Sequence, residues 1–78
     1  MIGRAVTDYP IDWSRVVLEL RGSGWTYQRI QDALSAPDGM CDRLVRGGEP
    51  RFRPRLALLM LHRQETRRDP PMLWELSA

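Results

Sequence analysis

TYQRIQDALSAPDGMCDRL, residues Thr26 to Leu44, reads as two short helices joined by a tight turn that contains Pro37. In the first segment Tyr27, Ile30, Ala33 and Leu34 fall at helical spacing and make one apolar stripe. In the second, Met40, Cys41, Leu44 and Val45 do the same. Ser35 and Ala36 leave only a short span for the reversal, which suits a corner between packed helices better than an extended loop. The two segments must share a core, and the pattern is that of a helix-turn-helix.

The flanks supply the rest of such a core. Asp12 is placed to cap a first helix, in which Trp13, Val16, Val17 and Leu20 form an i, i+3, i+4, i+7 stripe while Ser14, Arg15, Glu19 and Arg21 point elsewhere. Gly22 and Gly24 end it. Thr26 caps the second helix, with Trp25 as a hydrophobic staple onto Ile30 or as plain core packing. Pro37 suits the first turn of the third helix, which Gly47 and Gly48 terminate. Glu49 to Pro54 then reads as a loop, and Pro54 or Arg55 opens a fourth helix running to about Thr66.

In that helix Leu56, Leu59, Met60 and Arg63 lie on one side, and Leu58, Leu61 and Glu65 widen the apolar face beyond the needs of one small core. The surplus points either to the centre of the domain or to a dimer seam. Pro70 and Pro71 stop the helix ahead of an apolar tail with Met72, Leu73, Trp74 and Leu76. The expectation is an all-α domain of four helices, dimeric, with an arm over 1–10, the helix-turn-helix domain over 11–68 and the tail over 69–78.

A chain of 78 residues supports one core, and 42% hydrophobic with 28% charged residues is an ordinary globular composition. A core this small gains stability when two copies bury apolar surface together. The formal charge is only +2, yet all 12 basic residues are arginine. Arg43, Arg46, Arg51, Arg53, Arg55, Arg63, Arg67 and Arg68 crowd the second half, where Glu49 and Glu65 are the acids between them. The planar guanidinium makes paired hydrogen bonds to phosphate, so this half is the expected surface for an anionic partner. One cysteine excludes an internal disulfide, no metal-ligand cluster surrounds the lone His62, and no cofactor is called for. With no long apolar segment or signal peptide, the expected location is the cytoplasm, with no membrane partner.

The stretch resembles the DNA-binding domains of phage regulators of the lambda repressor and Cro kind. Thr26, Ile30, Leu34, Ala36, Cys41 and Leu44 carry the resemblance, together with the Gly47 to Pro50 run and Leu58, Leu59 and Leu61, over about two thirds of the chain. Gln31 stands where those proteins usually have a small alanine, and Ser35 where they usually have a turn glycine. The resemblance implies a homodimer on double-stranded DNA, joined through the fourth helix or the tail, with the third helix reading bases.

Thr26, Tyr27, Gln28 and Arg29 sit at a helix start, where free amides and the dipole favour phosphate. Asp38, Gly39, Asp42, Arg43 and Arg46 would form the outward face of the third helix. Arg43 is suited to a bidentate contact with guanine, and Asp42 or Asp38 to accepting from cytosine. The competing reading makes Asp38 a dipole partner and Asp42 a solvated charge, since carboxylates oppose phosphate. Arg51 and Arg53 would clamp phosphate beside this face, against a plain solvated loop. The expected function is a sequence-specific transcriptional regulator, a repressor of phage or prophage type. The alternative is a similar module that binds a host protein. No catalytic set can be assembled from one histidine, one cysteine and scattered carboxylates, so an enzyme is not expected.

Overall fold

A computed structural model describes residues 11–73 of the chain. They form four helices, α1 (Trp13–Gly22), α2 (Tyr27–Leu34), α3 (Met40–Val45) and α4 (Phe52–Thr66). Among the described residues there is no strand, only an isolated antiparallel bridge between Ile11 and Met72. The arm over 1–10, Trp74 and Leu76 lie outside the described residues.

α1 starts where the Asp12 carboxylate accepts from Arg15 N over 3.2 Å. Its stripe then buries Trp13, Val16, Val17 and Leu20 against α3 and α4. Ile30, Met40, Cys41, Leu44 and Leu58 complete the core. At the other end of the chain, Pro71 O accepts from Asp12 N over 2.8 Å. The described part of the tail therefore docks on its own domain, at the entrance to α1.

Three helices end in the same double hydrogen bond. After α1, Gly24 N donates to Arg21 O and Trp25 N to Leu20 O; after α3, Gly47 N donates to Leu44 O and Gly48 N to Arg43 O. This Schellman arrangement needs one residue in the left-handed region, supplied by Gly24 (φ 101°) and Gly47 (φ 107°). After α2, Ser35 takes that place at φ 53°, with Ser35 N bonded to Asp32 O and Ala36 N to Gln31 O. Serine thus holds the conformation for which glycine is the unstrained choice. Ser35→Gly is expected to raise unfolding free energy by about 0.5–1 kcal/mol, read as a shift of the urea midpoint at constant slope. A lower midpoint would show that the serine side chain contributes more than its backbone strain costs.

The helix bounds correct several expectations. α3 begins at Met40 with Gly39 as its cap, so Pro37 lies in the turn, where its carbonyl accepts from Met40 N over 3.3 Å. The cap residue Gly39 has no side chain with which to bond the first amides of α3. α4 begins at Phe52, so only Glu49 to Arg51 remains a loop and Pro54 sits in the first helical turn. Proline is accommodated there because the first turn's amides have no helical acceptor to lose.

α2 is rotated from the expected stripe. Ala33 is exposed and Gln31 is buried in its stead. α4 turns Leu58 and His62 inward, while Leu56 and Met60 stand 48% and 72% exposed on the opposite side. Of the residues expected to widen the apolar face, Leu58 is core and Leu61 half-buried, and it is Leu56 and Met60 that stand outward.

Candidate nucleic-acid interface

The residues singled out in the sequence fall into three exposed groups. At the start of α2, Thr26 Oγ1 accepts from Arg29 N over 3.1 Å and so satisfies one of the open amides. The Arg29 guanidinium lies 4.8 Å from the centre of the Trp25 ring, and that of Arg21 lies 4.9 Å from the Tyr27 ring. Gln28 Nε2 donates to Asp32 Oδ1 over 2.9 Å. Both arginines are therefore braced on half-buried aromatics while remaining exposed. Trp25 is fixed in turn, because its Nε1 donates to Glu65 Oε1 of α4 over 3.2 Å.

Asp38, Gly39, Asp42, Arg43 and Arg46 form the second group, all exposed along the turn and the outer side of α3. Asp42 pairs with Arg46 over 3.2 Å, both side chains more than half exposed. Such a water-exposed pair contributes little to stability and can exchange for another partner. Arg43 Nη1 donates to Glu49 O over 2.8 Å. Two carboxylates and two guanidiniums leave this face nearly balanced in charge, whereas the third group is purely basic. Arg51 and Arg53, at the start of α4, share a cleft with Leu34, Ser35, Ala36, Pro37 and Pro54. The positive charge that lies beside the turn between α2 and α3 thus comes from another helix.

α2 holds α3 from beneath. Gln31 Oε1 accepts from Cys41 N over 3.0 Å, capping α3 from a neighbouring helix in the absence of a local cap. Cys41 Sγ–H donates to Tyr27 O over 3.8 Å. Burial pushes the Cys41 thiol up to about 11, so it stays protonated and packs as an apolar group.

Three features escaped the sequence reading. The first is Gly48, whose missing side chain leaves the space along which Arg43 lies. The second is Arg55, half-buried with its guanidinium 5.9 Å from the Trp13 ring and 3.7 Å from Glu49, and with a buried Nε that has no partner. Its i, i+6 separation from Glu49 spans a helix start and carries no periodic signal. The third is the partner of His62, for which the sequence carries no signal. His62 is fully buried, and its Nε2–H donates to Glu19 Oε1 over 2.7 Å. Glu19 therefore does not point away from the core, and its other oxygen accepts from Arg15 Nη2 over 3.3 Å.

Among the described residues no group of three histidines, cysteines or carboxylates is arranged to hold a metal ion, and no helix is long and apolar enough to cross a membrane. No protein-family model, curated protein or solved structure matches this chain at a significant level.

Proposed function

We propose that the chain is a sequence-specific regulator that binds double-stranded DNA through a helix-turn-helix formed by α2 and α3. One observation carries the reading: α3 is buried on Met40, Cys41 and Leu44 and exposes Asp42 and Arg43, with Asp38 and Gly39 exposed in the turn before it and Arg46 exposed at its C-terminal end. A short helix held on one side and polar on the other can enter a major groove without disturbing its own core. Arg51 and Arg53 beside the turn, and Arg29 at the capped start of α2, suit the phosphates on either side. The regulator would act as a homodimer of phage or prophage type on a two-fold operator and occlude a promoter. The exposed Leu56 and Met60 of α4 are the proposed seam.

The test is a fluorescence-anisotropy titration of the duplex upstream of the chain's own gene beside a scrambled duplex, at two salt concentrations. Tighter binding to the native duplex that persists at the higher salt is expected. Arg43→Ala should lower the preference by about 1–3 kcal/mol, whereas Arg53→Ala should weaken both duplexes alike and reduce the salt slope by about one. Identical behaviour of the Arg43 variant and the parent on both duplexes would remove α3 from base readout.

A second reading, a module that binds a host protein, is favoured by the internal pairing of Asp42 with Arg46, which compensates charge where DNA would demand a surplus. Weak binding of both duplexes that vanishes with salt, with a stoichiometric partner recovered from host lysate, would select it.

A further inference from the structure

We propose that Gly48 and the carbonyl of Glu49 together position Arg43, and so set the base preference of the α3 face. This rests on the DNA-binding reading above. Arg43 is held at three points along its length. Its backbone oxygen accepts from Gly48 N over 2.9 Å, and its Nη1 donates to Glu49 O over 2.8 Å. Between these bonds the side chain runs along Gly48. A Cβ at that residue would fall 2.9 Å from Arg43 Cγ, 3.0 Å from Arg43 O and 3.2 Å from Arg43 Nη1.

The two neighbouring glycines therefore serve different ends. Gly47 has φ 107°, and a Cβ there would meet nothing within 4 Å. Backbone twist alone explains it. Gly48 is not among the residues with positive φ, and what excludes a side chain there is contact with Arg43. Arginine is among the side chains that lose most rotamer freedom when ordered. A stem confined by Gly48 and a head bonded to Glu49 have lost part of that freedom before any partner arrives. One Nη1 hydrogen is used, and the Nε and Nη2 edge keeps the paired donors that a guanine edge accepts. Arg46 lacks this support, since its bond is to the exposed Asp42 carboxylate.

The experiment compares Gly48→Ala, Gly47→Ala, Arg43→Ala and the double variant Gly48→Ala/Arg43→Ala with the parent. Each is titrated against the duplex that the parent selects from a randomised pool and against a scrambled duplex, with unfolding followed in parallel. Gly48→Ala should reduce the ratio of the two affinities roughly tenfold, with the salt slope on scrambled DNA unchanged, and should add nothing once Arg43 is gone. Gly47→Ala should lose stability yet keep the ratio. A retained ratio in Gly48→Ala, or an equal loss with and without Arg43, overturns the proposal.

If Gly48→Ala does not fold, nitrogen-15 relaxation of the Arg43 Nε–H in the free parent decides. Greater order than at Arg51 supports the positioning role, and equal mobility overturns it. A parent that selects no sequence removes the DNA reading and, with it, this role.

Discussion

Replacing His62 with alanine is expected to cost the fold about 2–5 kcal/mol, most of what a small single core can hold. The imidazole is fully buried where α4 crosses α1, so its removal leaves a cavity and takes away the 2.7 Å bond to Glu19. Thr66 Oγ1 donates to His62 O over 2.8 Å and lies 3.5 Å from Nδ1, so the ring fills a site whose walls offer polar partners on both sides. A leucine would fill the volume but give up the bond to Glu19, while Thr66 Oγ1 would keep its backbone acceptor at residue 62. The Glu19 side chain is 24% exposed and keeps Arg15, so the carboxylate can rehydrate and the loss is chiefly one of packing. Glu19→Gln retains an oxygen that faces the ring and should cost about 1 kcal/mol or less. Urea unfolding followed by circular dichroism gives both values. Equal midpoints for the parent and the His62 variant would show that the α1–α4 contact does not depend on this residue.

Gln31→Ala is expected to destabilise by about 1–3 kcal/mol. Gln31 Oε1 accepts from Cys41 N, an amide at the start of a helix whose cap, Gly39, offers no side chain. With alanine this buried amide has no acceptor, and the space under α3 is emptied. The six-residue α3 has few hydrogen bonds of its own, so the loss should fall on its orientation. Amide hydrogen exchange locates the effect, with Cys41 to Leu44 expected to lose protection more than the core of α1. Unchanged stability would mean that water replaces the glutamine oxygen without cost.

The number of helices, their order and most of the core were determined by the sequence itself. Trp13, Val16, Val17, Leu20, Ile30, Met40, Cys41, Leu44 and Leu58 recur at helical spacing, and Asp12 and Thr26 cap through bonds that span only three residues. Such signals are local, so periodicity and side-chain chemistry suffice to read them. Tertiary structure decided which polar side chains turn inward. Gln31 goes in and Ala33 out because an open amide of α3 faces α2, and His62 is buried because Glu19 of α1 faces it across 43 residues of chain. The arrangement of the candidate interface was decided in the same way, since Arg51 and Arg53 border the α2–α3 turn only once α4 has packed, and Arg43 is held by a loop that follows its own helix. A buried polar group is set by the partner that satisfies it, and that partner comes from another element, beyond the reach of any spacing rule.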